Sequence, residues 1–224
     1  MRMSSFDRTG LRRMLADGAA SMALRLNDTQ LDLLIDYLAL LAKWNAVYNL
    51  TAVRDPAQMV TQHLLDSLAI LPAFTKAKNV LDVGSGGGLP GIVLAIWALG
   101  DRPGMRVSMI DTVHKKTAFL TQVKAELNLS NVTVYSGRVE QLRVEPLFDV
   151  ITSRAFADLS DFVTWSGHLM ADQGRFIAMK GVDSPVEEAG LPPGWKIIEK
   201  VPLAVPGLNA ERHLVIIQRS QAGE

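Results

Sequence analysis

The chain has 224 residues and carries 23 acidic and 23 basic side chains, so its formal net charge is zero. That length supports one sizeable core without staples, and the absence of cysteine excludes a disulfide framework, a thiolate zinc site and a cysteine nucleophile. A chain with no charge excess cannot grip nucleic acid through overall charge; it would need a local basic face.

The first residues, Met1 to Gly10, are polar and mixed, without the apolar core of a signal peptide. The longest apolar run, Leu89 to Leu99, is far short of the ~20 residues that a membrane-crossing helix needs. No membrane partner is expected.

Up to about Phe74 the pattern is helical. Leu31, Leu34, Ile35, Leu38, Leu41 and Trp44 follow three-four spacing, with Asn27 or Asp28 as N-cap. Tyr48 to Thr51 reads as a break. Asp55-Pro56 starts a new helix, acid as cap and proline in the first turn. Its apolar face carries Met59, Val60, His63, Leu64, Leu68 and Leu71, and Pro72 ends it.

From Asn79 strands and helices alternate. Strands are expected at Val80–Val83, Val107–Ile110, Val132–Tyr135, Phe148–Thr152 and Arg175–Met179. Helices are expected at Leu89–Leu99, His114–Asn128 and near Leu159–Met170. Two further strands, Trp195–Val201 and His213–Gln218, follow each other without a helix and form a hairpin-like pair, so at least one strand is antiparallel. The expectation is an α/β fold: a mostly parallel, doubly wound, Rossmann-like sheet. A helical N-terminal extension, residues 1–75, packs as one unit with a body spanning residues 76–224.

The main chemical signal is the run from Leu81 to Gly91, which follows a strand and opens a helix. Gly86, Gly88 and Gly91 satisfy the dinucleotide spacing literally. Asp82, on the strand just before the loop, argues for a cationic ligand such as S-adenosylmethionine, because an acid beside a pyrophosphate is repulsive. Asp111, at the end of the second strand, suits a ribose in either case. After the third strand, Val139 and Glu140 offer a wall for an adenine ring.

Together these segments resemble the glucose-inhibited division protein B family, also called ribosomal RNA small subunit methyltransferase G. The resemblance is carried by Lys43-Trp44-Asn45, Tyr48-Asn49-Leu50-Thr51, Arg54-Asp55-Pro56 and His63-Leu64-Leu65-Asp66-Ser67. In the body it rests on Asp82 to Gly86 with Gly88 to Gly91, on Ser153-Arg154-Ala155-Phe156, on Met179-Lys180-Gly181 and on Glu211-Arg212-His213. One departure is Gly87, where the family often has alanine or proline. The resemblance implies a class I S-adenosylmethionine-dependent methyltransferase, bacterial and cytoplasmic, acting on N7 of a guanine in 16S ribosomal RNA. It implies donor-binding positions at Gly84, Gly86 and Leu89 in the loop, Val139 and Glu140 after the third strand, and Arg154 after the fourth, with Asp111-Thr112 in the ribose region. The acceptor is 16S RNA, the small ribosomal subunit or an assembly intermediate, and the chain is expected to be a monomer.

The chemistry fits that target. Guanine N7 has a free lone pair and needs no general base, so positioning and electrostatics carry the reaction. Arg154 is the expected positioning residue, toward the donor, the guanine edge or both, against the alternative of an arginine paired with an acid. Arg138 and Lys180 are candidate RNA contacts, followed by Lys115, Lys116, Arg12 and Arg13. His63, among apolar neighbours, reads as a core histidine. No spacing of His, Asp and Glu points to a metal. Three other readings stay open: a methyltransferase with a non-RNA acceptor, a nicotinamide-dependent oxidoreductase, and a donor-binding module without catalysis.

Overall fold

A computed structural model describes residues 6–154, 156, 158–181 and 190–220. Ala155, part of the motif after the fourth strand, lies outside the described residues. The elements run α1 (Arg8–Ser21), α2 (Asp28–Tyr48), α3 (Pro56–Met59), a π-helical segment Val60–Leu65, α4 (Asp66–Leu68), β1 (Asn79–Val83), α5 (Gly91–Asp101), β2 (Arg106–Asp111), α6 (His114–Glu126), β3 (Val132–Ser136), β4 (Phe148–Ser153), α7 (Leu159–Ser166), β5 (Met170–Lys180), β6 (Trp195–Pro202) and β7 (His213–Arg219).

The strands β1, β2 and β4 are short apolar runs of the sequence, buried on both faces as inner parallel strands are; β3, at the edge of the sheet, is only partly buried. One seven-stranded sheet has the order β3-β2-β1-β4-β5-β7-β6. Pairings from β3 through to β5 are parallel. The chain then returns: β7 runs antiparallel to both β5 and β6, as the missing last crossover required. The order reverses direction between β1 and β4. That switch opens a crevice at the carboxyl ends of the strands, the place where open α/β sheets hold ligands.

The extension is built as the periodicity required. Asn27 caps α2 and forms a reciprocal capping box with Gln30. Leu34, Ile35, Leu38 and Leu41 are fully buried, in one continuous core with Ile92, Val107, Phe119 and Leu120 of the body. Polar contacts fix the orientation. Gln30 Nε2 donates to the Trp97 carbonyl at 2.8 Å and to Asp101 at 2.7 Å. Trp44 Nε1 donates to Gln122 at 3.1 Å. Tyr37 Oη donates to the Gly87 carbonyl at 2.6 Å.

Four elements differ from the sequence reading. The segment before Asn27, read only as broadly helical, forms its own helix α1, capped by Asp7. The helix after β1 begins at Gly91 rather than Leu89, because the turns of the glycine loop occupy the preceding residues. The helix near Leu159 stops at Ser166, and after a short 3-10 turn β5 begins at Met170, where helix was expected. The helix from Asp55 is interrupted: residues Val60–Leu65 are π-helical. There the Gln62 carbonyl accepts from Arg154 Nη1 at 3.2 Å. An outside donor on that carbonyl accompanies the wider ladder, and such π turns recur at functional sites.

Replacing Tyr37 by Phe leaves the Gly87 carbonyl without its partner and is expected to cost about 1–2 kcal/mol. Because the extension shares its core with the body, urea unfolding of this variant and of the parent is expected to be a single transition, coincident by far-UV circular dichroism and tryptophan fluorescence. Two separated transitions would show that residues 1–75 fold independently.

Candidate active site

Three depressions follow one another along the carboxyl edge of the sheet. The first, about 370 Å³, runs past the ends of β1, β2 and β3 and is lined by Gly84, Asp111, Thr112, Lys116, Arg138, Val139 and Glu140, closed by Phe156 and Trp165. The second, about 250 Å³, lies over the glycine loop between Gly84, Gly86, Leu89 and Arg154, with Leu41, Leu50 and Thr51 of the extension on its other wall. The third, about 340 Å³, is a basin lined by Gln62, His63, Asp66, Arg154, Lys180 and Arg212. Gly84 and Lys116 belong to the first two, and Arg154 to the last two, so the depressions form one path.

The glycines of the loop divide by what each must satisfy. Gly86 sits at φ +57°, and a Cβ there would meet nothing closer than the Gly84 carbonyl at 3.9 Å. Its side-chain space is the crevice itself, which suits a backbone that a ligand approaches closely. At Gly91 a Cβ would come within 2.6 Å of Met109 and 2.8 Å of Asp82, so that glycine serves helix–strand packing.

Asp82 is fully buried beneath the loop and lines none of the three depressions. Its Oδ2 accepts from the Gly91 N–H at 2.9 Å, tying the start of α5 to β1, while Oδ1 has no partner. Burial pushes its carboxyl up to about 7. Asp111 accepts from Gly86 N–H at 3.0 Å and Val113 N–H at 2.8 Å, and pairs with Lys116 at 3.4 Å. It therefore shapes the loop as well as facing the first depression. Lys116, read as a possible phosphate contact, lines this wall.

The structure gathers Gly84, Asp111, Thr112, Val139 and Glu140 around the first depression, and Gly84, Gly86, Leu89 and Arg154 around the second. Arg138 stands at the rim, 70% exposed. Lys180 lies in the basin, where its Nζ donates to the Phe156 carbonyl at 3.3 Å. Arg12 is occupied elsewhere, paired with Asp28 and Asp32 on the extension.

Arg154 joins two readings that the sequence set against each other. It pairs with an acid, Asp66 Oδ2, at 3.3 Å, and it also lines both the loop cavity and the basin. Asp66 is nearly inaccessible, and its other oxygen accepts from Arg212 Nε at 3.0 Å. The roles of Asp66, Arg212, Phe156 and Trp165 escaped residue-by-residue reading. Only the motif pieces containing Asp66, Phe156 and Arg212 marked their neighbourhoods, and nothing marked Trp165.

His63 is the core histidine of the sequence reading, 5% exposed, yet it also walls the basin. Its Nε2 is 2.9 Å from Thr51 Oγ1. Burial, then the nearby Arg154 charge, lowers its pKa to about 4. Among the described residues no group of His, Asp and Glu could hold a metal, and no helix is long and apolar enough to cross a membrane.

Comparison with known proteins places this geometry. The model of the family described as rRNA small subunit methyltransferase G matches residues 30–215. A relative from Janthinobacterium sp. (strain Marseille), named ribosomal RNA small subunit methyltransferase G, is 68% identical over 97% of this chain and 99% of its own length. One of the same name from Herminiimonas arsenicoxydans is 66% identical over 97% of this chain and 100% of its own. Among solved structures, an O-methyltransferase from Bacillus cereus, in complex with SAH, superposes with a TM-score of 0.56 at 18% identity, covering 94% of this chain and 97% of that one. At that identity it establishes the class I methyltransferase fold alone.

The lowered pKa of His63 has a sign that equilibrium unfolding can check. A histidine whose folded pKa lies below its unfolded value contributes stability above about 6.5, which is lost as pH falls toward 4. Between pH 7 and 4.5 this group is expected to remove roughly 2–3 kcal/mol. In urea titrations at the two pH values, His63→Gln should lose less stability than the parent by about that amount. Equal losses in the two proteins would place the titration elsewhere.

Proposed function

Because the chain belongs to the ribosomal RNA small subunit methyltransferase G family, we infer that it transfers a methyl group from S-adenosylmethionine to N7 of a guanine in 16S ribosomal RNA. The observation that carries this reading onto the chain's own residues is the path from the donor crevice past Arg154 into a basic basin. When bound, the donor supplies a methyl carbon on a sulfonium: the guanine N7 lone pair forms the new bond, and the sulfur leaves as a neutral thioether.

The residues fit such a donor. Val139, with Phe156 and Trp165, gives apolar and aromatic walls for an adenine, and Glu140 and Thr112 give polar atoms at their edges. Asp111 holds the loop and faces the ribose region. Gly84, Gly86 and Leu89 present loop backbone to the amino-acid end. Asp82 acts from beneath, setting the start of α5 and placing a carboxyl below the cationic part of the donor. Arg154, held by Asp66 and the Gln62 carbonyl, stands between donor and acceptor and orients the guanine by its O6 or its phosphate, since a bond to N7 itself would occupy the nucleophile. No residue need remove a proton from N7. Arg138 and Lys180 face the RNA. The acceptor is 16S RNA, the small ribosomal subunit or an assembly intermediate, met by a monomer in the cytoplasm.

Label from S-adenosylmethionine is expected in 16S RNA, or in small subunits lacking the modification, and to be recovered as N7-methylguanine. Arg154→Ala is expected to lower kcat/KM at least ~100-fold, the scale of losing one preorganised electrostatic group. Unchanged donor affinity together with unchanged turnover in that variant would remove Arg154 from the reaction.

A further inference from the structure

Gly86, Gly87 and Gly88 follow one another in the loop, and the first two line the cavity it shares with the extension. A run without side chains has wide backbone freedom, so its shape must be imposed from outside.

The loop amides can be followed one by one. Gly84 and Ser85 donate to the Ile110 carbonyl, and Gly88 and Leu89 to that of Ser85. Gly86 donates to Asp111 and Gly91 to Asp82. Pro90 has no N–H. Among the described residues no group accepts from the Gly87 N–H. Backbone amides removed from water are paired as a rule, and Gly87 is half-buried at the cavity wall. Its amide is the one the loop leaves to an anion.

The extension fixes this residue from the other side. Tyr37 is fully buried on α2, and its Oη donates to the Gly87 carbonyl at 2.6 Å. Burial raises the phenol above its ordinary pKa, so the hydroxyl keeps its proton and remains a donor. Leu41, one turn further along, presses on the same residue: a Cβ on Gly87 would come within 3.2 Å of its Cδ1. With the Gly86 N–H tied to Asp111 and the Gly87 carbonyl tied to Tyr37, the peptide that carries the unpaired N–H is anchored on both sides. A tyrosine that needed only to satisfy its own hydroxyl could take any nearby carbonyl. This one takes the carbonyl of the loop residue whose amide is unpaired.

We propose that Tyr37 is a positioning residue for the methyl donor: by holding the Gly87 carbonyl it presents the Gly87 N–H to the donor's amino-acid carboxylate, and so makes donor affinity depend on the docked extension. This rests on the methyltransferase reading above. A backbone N–H given to a carboxylate is a charge-assisted bond, and its strength falls as the angle opens. A Gly87 carbonyl released from Tyr37 lets the neighbouring peptide plane turn, and that bond weakens.

The test compares the full-length parent with Tyr37→Phe, which keeps the ring, and with Ile35→Val. Ile35 is fully buried on the same helix and lines none of the three depressions, so trimming it costs comparable stability without touching the loop. S-adenosylhomocysteine, which has the same amino-acid end as the donor, is titrated by calorimetry. Tyr37→Phe is expected to bind it about tenfold more weakly and to raise the donor KM on unmodified small subunits by a similar factor, with kcat and acceptor KM within about threefold of the parent. Ile35→Val should bind within about twofold of the parent. Amide exchange at Gly87, followed by NMR, should slow at least about tenfold in the parent when S-adenosylhomocysteine is added, and less in Tyr37→Phe. Equal affinity in Tyr37→Phe and the parent overturns the inference, as does an equal loss in Ile35→Val. A Gly87 amide indifferent to the ligand in the parent overturns it without any variant. A parent that binds no S-adenosylhomocysteine overturns the donor reading and this inference together.

Discussion

The loop from Val83 to Gly91 joins a buried strand to a buried helix, and its backbone is paired only in part by other backbone: Gly88 and Leu89 donate to the Ser85 carbonyl, and Gly84 and Ser85 to that of Ile110. Backbone polar groups removed from water need partners, so the shape of this segment depends on groups brought to it. Asp82 takes the Gly91 N–H from below. Asp111 takes the Gly86 N–H from the next strand. Tyr37 gives its hydroxyl hydrogen to the Gly87 carbonyl from the extension. The extension thereby shapes the crevice as well as covering the apolar flank of α5 and α6.

A second buried acid does the corresponding work at the basin beside the loop. Asp66 stands at the end of the π-helical segment, Arg154 after β4, and Arg212 just before β7. These elements meet only in the folded chain. A carboxylate so far from water is tolerated only with excellent partners, and it has two guanidiniums. The wider π turn and the Arg154–Gln62 bond belong to the same arrangement, since both place the residues of the extension's last helix in the wall of the basin.

What the sequence made legible follows from where the controlling forces are local. The runs Val80–Val83 and Val107–Ile110 are strands because short apolar stretches bounded by polar residues have few alternatives, and the structure has them within a residue. Asn27 and Asp55 announce helix starts because capping is settled within three residues. The π turn at Val60–Leu65 left no such mark, because a partner some ninety positions away holds one of its carbonyls. Arg154 could be ranked but not resolved: its position after a central strand was visible, while its partner Asp66 lay inside a helix that otherwise read as apolar. Trp165 showed only as one more residue of a helix, and its place on the crevice wall depends on how α7 lies over the sheet.

The neutral composition, which gave RNA no vote, becomes informative once the charges have addresses. On the extension, Arg8 and Arg12 meet Asp28, Asp32 and Asp36, and their charge is spent within the protein. At the basin beside the loop, two guanidiniums, Arg154 and Arg212, share the carboxylate of Asp66. Equal totals therefore hide an uneven distribution. A uniformly basic surface would bind any phosphate chain and hold it at many registers. For an enzyme that must modify one guanine among many, charge neutralised over most of the surface and confined to particular places is the more selective distribution of the same number of charges.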